Sequence, residues 1–167
     1  MAARVPLPFD PIARASELWN ERIGPPDTMA AVTSVMRVHQ IVLAAVDPAL
    51  RPLGLTFARY EALVLLSFSR RGSLPMRVMG ERLQLHPTSV TNIVDRLEAH
   101  GLVRRTPHPT DGRTTLVSLT DSGRAKLQLA TKAVTEVDFG LVGLSTGELG
   151  ELTGLLTKVR HAAGDFS

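Results

Sequence analysis

Apolar residues recur at helical spacing along most of the chain, and the clearest stretch begins at Pro87. There Val90, Ile93, Val94 and Leu97 fall at i, i+3, i+4 and i+7, so they share one stripe of a helix and must face a core. The opposite face carries Thr88, Asn92, Asp95 and Ala99, flanked by Ser89, Thr91 and Arg96, and is short and mostly hydrogen-bonding. Pro87 suits a first helical turn and Gly101 a left-handed C-cap, which predicts a helix over residues 87 to 100. β-rich runs follow at 102–106 and 114–119, and the Asp111-Gly112 pair in the loop between them predicts a hairpin. Upstream, residues 75 to 85 predict a short helix with Val78, Met79 and Leu83 inside. Two short helices joined by a turn of three or four residues make a helix-turn-helix, whose second helix places its N-terminal residues at base edges in a major groove.

The flanks read as packing elements. Residues 28 to 46 are apolar around much of their circumference, which predicts a helix buried on several sides. Thr120 caps a helix reaching to about Phe139, and Ser145-Thr146-Gly147-Glu148 is a capping box opening a helix striped with Leu149, Leu152, Leu155, Leu156 and Val159. These helices have few partners within one chain, so we expect a two-fold homodimer that sets two recognition helices one DNA turn apart on a pseudo-palindrome. Residues 1 to 27, with five prolines and a weak helix over 11–23 containing Trp19, form an N-terminal arm. Residues 28–50 and 120–164 are then the dimerisation helices, and 51–119 the DNA-binding lobe.

Charge sharpens the picture through its distribution. The net charge is only +3, but residues 51 to 126 hold twelve Lys/Arg against six acids, while both flanks are slightly acidic. The cation excess coincides with the helix and hairpin, as phosphate binding with counterion release requires. Arg104, Arg105 and Arg113 lie on the hairpin, and a cationic tip can enter a minor groove. Asp95 does not fit a phosphate and is expected to pair with Arg113 or Arg96.

At 167 residues and 44% apolar content the chain is about one domain. No run of about 18 uncharged apolar residues is present and no signal-peptide core opens the chain, so no membrane partner and a cytoplasmic location are expected. The absence of cysteine excludes disulfides, thiolate metal sites and cysteine-based redox sensing. The five histidines show no metal-ligand spacing, and neither metal nor cofactor is expected. Serines lack a nucleophile elbow and no glycine-rich phosphate loop precedes a helix, so catalysis is not expected.

Residues 53 to 124 resemble the winged helix-turn-helix core of MarR-type transcriptional regulators. The pieces that carry the resemblance are Asp95-Arg96-Leu97-Glu98 through Gly101-Leu102-Val103, the wing Asp111-Gly112-Arg113, and Leu119-Thr120 with Gly123. It implies a mainly α fold with a small β-hairpin wing and N- and C-terminal dimerisation helices. The resemblance further implies that Arg113 reaches the minor groove, whereas Gly112 stands where the family usually has a second basic residue, which tightens the turn and removes one phosphate contact. The function expected is a sequence-specific regulator, in the main a repressor, binding double-stranded DNA. Its candidate contacts are Pro87, Thr88, Ser89, Thr91, Asn92, Arg96, Arg105, Asp111 and Arg113. A small anionic or phenolic effector is expected between lobe and dimer helices, in a candidate pocket of Met36, His39, Phe57, Tyr60 and Phe68. The rival is a winged-helix adaptor that binds protein, which the polar face of Thr88, Ser89 and Asn92 argues against.

Overall fold

The computed structural model describes residues 7 to 167, so the first six residues of the expected N-terminal arm lie outside the described residues. Seven α-helices and three short strands follow in the order α1 Pro11–Arg22, α2 Asp27–Leu50, α3 Phe57–Ser67, β1 Ser73–Pro75, α4 Met76–Leu83, α5 Pro87–Ala99, β2 Val103–Pro107, β3 Thr115–Leu119, α6 Asp121–Thr135 and α7 Thr146–Ala162. Short 3-10 turns at Arg51–Leu53 and Asp138–Gly140 close α2 and follow α6. The mainly α fold with a β wing is the expected one.

The lobe is organised around α5. Its Val90, Val94 and Leu97 are buried beside Leu63 and Leu66 of α3, Met79 of α4 and Val117 of β3. Each such side chain contributes about 1.5–3 kcal/mol when taken from water. The helix ends in a Schellman motif: Leu102 N–H donates to the Leu97 carbonyl, Gly101 N–H donates to that of Glu98, and Gly101 takes φ 68°. The chain leaves this cap directly into β2.

The sheet has order β1-β3-β2, all antiparallel, with Ser73 opposite Ser118 and Val103 opposite Leu119. The third strand, β1, was not expected. It is three residues long and ends in proline, too short for any period to show.

Caps behave as the sequence predicts. Thr120 Oγ1 accepts from Gly123 N–H, and Ser145 with Glu148 forms the capping box, whose hydrogen bonds from the Ser145 hydroxyl and then its N–H hold the Glu148 carboxyl below its usual range.

The flanking helices differ from expectation in one respect. Within one chain α2 is not buried on several sides: only Val46 and Leu50 are buried, while Val32, Val35, Met36, Val38 and Ile41 stay exposed. Nothing in α7 is buried either, and Leu155, Leu156 and Val159 are exposed. The segment Asp27–Leu53 is long and apolar enough, by composition, to cross a membrane, with mean hydropathy 1.5 over its most apolar window. Arg37, His39, Gln40 and Asp47 interrupt the segment, so it contains no run of about 18 uncharged apolar residues, as expected.

Candidate nucleic-acid interface

The turn between α4 and α5 is three residues long. Gln84 takes the left-handed conformation at φ 53°, and Leu85 N–H donates to the Gly80 carbonyl, which swings the chain so that α5 crosses in front of α4. His86 then caps α5 and Pro87 occupies its first turn. With the apolar stripe locked inward, Pro87, Thr88, Ser89, Thr91, Asn92, Asp95, Arg96 and Ala99 are all exposed on the other side. The Thr91 hydroxyl donates to the Pro87 carbonyl, so its remaining capacity is as an acceptor. Thr88, Ser89 and Asn92 present side-chain donors and acceptors without a protein partner among the described residues.

The wing is joined to this helix by an ion-pair network that sequence reasoning misplaced. Arg105 on β2 lies between two carboxylates of α5, 2.6 Å from Glu98 and 2.6 Å from Asp95, and its backbone N–H donates to Glu98 at 2.9 Å. The side chain is 23% exposed. Hydrogen bonds from the Arg105 backbone and then its side chain hold the Glu98 carboxyl below its usual range. Asp95 therefore pairs with Arg105, not with Arg113 or Arg96. Arg105 itself, expected among the DNA contacts, spends its charge within the protein and fixes the angle between wing and helix.

Asp111 is likewise a builder of the wing. Its carboxylate accepts from the Thr114 hydroxyl at 2.6 Å and from the Arg113 N–H at 3.1 Å, and these bonds, the hydroxyl's first, hold its pKa below the usual value. The tip spans residues 108 to 114, closed by His108 N–H donating to the Thr114 carbonyl and Thr114 N–H donating to that of Asp111. One expectation changes here: Gly112, expected to tighten the turn, does not adopt the left-handed conformation, and hydrogen bonds accepted by the Asp111 side chain supply the reversal.

Arg113 is exposed at the tip, and Arg96 on the outer side of α5; neither makes an ion pair among the described residues. Arg104 is exposed on β2 and Arg77 on α4, the latter paired with Glu81. Arg77 was missed because no period distinguishes it. The structure thus gathers Thr88, Thr91, Asn92, Asp95 and Arg96 on one exposed face of α5, places Arg113 apart from them at the wing tip, and engages Arg105 and Asp111 in bonds within the protein.

The residues of the candidate effector pocket fall into two groups. Tyr60 is buried, its ring 6.2 Å from that of Phe57 and 6.4 Å from Phe139, and its hydroxyl is 3.4 Å from that of Thr131. Those contacts make Phe57 and Tyr60 core residues. Met36 and Phe68 are 59% and 75% exposed, and His39 is exposed as well. Met36, His39 and Phe68 are thus open to solvent in one chain, whereas Phe57 and Tyr60 pack on the core.

Residues 53–114 match the MarR family. The transcriptional repressor MdtR of Bacillus subtilis is 38% identical over 68 residues, 41% of this chain, and that match spans 44% of the repressor's own length. Among solved structures, Sco5413, a MarR family transcriptional regulator from Streptomyces coelicolor, is 53% identical and superposes with a TM-score of 0.78, covering 84% of this chain and 98% of Sco5413. A mutant MarR from E. coli complexed with operator DNA is 28% identical, with a TM-score of 0.69 over 85% of this chain and 97% of that one. The exposed polar helix, the arginine-tipped wing and these likenesses have a single explanation: the chain belongs to the MarR family of transcriptional regulators.

Proposed function

We propose that the chain is a homodimeric repressor that reads a pseudo-palindromic operator in double-stranded DNA, with Thr88, Ser89, Thr91 and Asn92 in the major groove, Pro87 and Arg96 beside them, and Arg113 in the minor groove. The observation that carries this is the pairing of an exposed, hydrogen-bonding α5 face with a cationic wing tip, held at a fixed angle by Arg105, Glu98 and Asp95. The operator-bound relative supports it. The exposed apolar faces of α2 and α7 support pairing with a second copy, and that pairing, not a bilayer, is the covering we assign to α2. A cytoplasmic location and release by a small anionic or phenolic effector complete the proposal, the latter supported by the likeness to CouR from Rhodococcus jostii bound to p-coumaroyl-CoA, 31% identical with a TM-score of 0.66.

Selection of bound sequences from a random duplex pool tests it, and a recovered palindrome is the expected result. On that operator Arg113→Ala should lower the slope of log affinity against log salt by about 1 per site. Asn92→Ala should relax preference at one base position per half-site by about 1–3 kcal/mol. A pool that yields no enriched sequence, or variants that bind like the parent, would favour the adaptor instead.

A further inference from the structure

The sequence His-Pro-Thr occurs twice at the DNA-facing side of the lobe: His86-Pro87-Thr88 opens α5, and His108-Pro109-Thr110 leads from β2 into the wing. The geometry repeats as well. In each copy the threonine N–H donates to Nδ1 of the histidine two residues earlier, at 3.3 Å. A backbone N–H can only donate, so Nδ1 accepts in both copies and Nε2 is the ring nitrogen left to donate; at His108 the Thr110 hydroxyl also lies 3.4 Å from Nδ1. His100 provides the contrast, since its Nδ1 lies 2.6 Å from the Arg96 carbonyl oxygen and must carry the proton there. His86 and His108 are therefore both held as Nε2–H donors, and among the described residues no protein acceptor takes that proton.

Their rings line two clefts that meet. The cleft between α4 and α5, about 720 Å³, includes His86; that between the wing and α4, about 440 Å³, includes His108 and Arg113. Met76 and Arg77 line both. His86, Arg77, His108 and Arg113 thus follow one another from the recognition helix, across the start of α4, to the wing. Major and minor grooves are separated by a single phosphate strand, so a duplex with α5 in its major groove and the wing in a minor groove has a phosphate strand between the two contacts.

We propose that the cleft between wing and α4 seats a phosphate of that strand, with His108 as an Nε2–H donor beside Arg77 and Arg113, and that His86 holds a neighbouring phosphate at the start of α5. The proposal rests on the DNA-binding reading above. Capture at Arg77 competes with its bond to Glu81, which lines the larger cleft. These contacts carry no base information; they set how the lobe sits on the duplex.

Phosphate-ethylation interference on the selected operator tests the proposal. Asparagine keeps an oxygen that can take the threonine N–H in an Asx turn and an N-cap, and it deletes the Nε2–H donor. His108→Asn should lose interference at one phosphate per half-site, between the helix and wing contacts, and bind every sequence roughly threefold to tenfold more weakly with base preference unchanged. Arg113→Gln, by contrast, should lower the slope of log affinity against log salt by about 1 per site. His86→Asn should lose the neighbouring phosphate in the same assay. If both histidine variants keep the parent's interference pattern and affinity while Arg113→Gln is impaired, the phosphate seat is overturned and the DNA reading stands. If the parent itself selects no operator, both fall.

Discussion

Arg105 illustrates how the role of one side chain depends on neighbours that sequence does not place beside it. By composition it is one more cation on a basic hairpin; in the fold it is a tie between β2 and α5. Its partners lie seven and ten residues earlier, across a helix cap and into a strand, so no helical spacing reveals them. The polar face of Thr88 and Asn92, by contrast, was legible from period alone, because the apolar stripe fixes which side remains. The tie has a pH signature. Glu98 titrates below its ordinary value of 4.5 in the fold, so its contribution is complete above that value and is lost as pH falls through the depressed one. Acid unfolding followed by circular dichroism should therefore show a step below pH 4.5 that Glu98→Gln removes, with Arg105→Ala costing about 1 kcal/mol at neutral pH after allowance for solvent screening. Gly123 presents a steric constraint instead. A Cβ there would sit 1.9 Å from the Leu102 carbonyl oxygen, so Gly123→Ala should destabilise by about 3 kcal/mol or more, read as a lowered thermal midpoint.

At the scale of elements, what could be read from the chain is what repeats along it. Helices α5, α6 and α7 declare themselves through stripes and caps, and Thr120 and Ser145 mark starts that the structure keeps. The face a helix buries is a different matter: α2 was recognisable as a helix, yet which of its sides meets the lobe is decided by its packing on α6 and the turn at Asp138–Gly140. The wing was legible as a hairpin and misread in its turn, because Asp-Gly suggests a backbone-driven reversal and Asp111 makes a side-chain-driven one with Thr114. Asp111→Ala should accordingly leave the thermal midpoint of the lobe unchanged while opening residues 108 to 114 to proteolysis and weakening operator binding. A tip as resistant as the parent's would show that the Asp111 bonds are not what holds it.

For the whole molecule, the surface left bare is as informative as the surface covered. Val35 and Met36 on α2 and Leu155 and Val159 on α7 are side chains that a single chain has no means of burying. Val35→Asp combined with Leu155→Asp should yield an 18.1 kDa species by light scattering and reduce operator binding to that of a single half-site. A species of twice that mass in the double variant would place the interface elsewhere. The bare flank of α2 also bears on supply. If pairing covers it, dilution uncovers it, and the thermal midpoint should climb when the protein is raised from about 1 to about 100 μM. Occupancy of the operator would then depend on abundance twice over, through mass action on DNA and through the fraction of chains that have found each other. A cell making less of this protein would clear its operator more steeply than affinity for DNA alone dictates, with no signal molecule required.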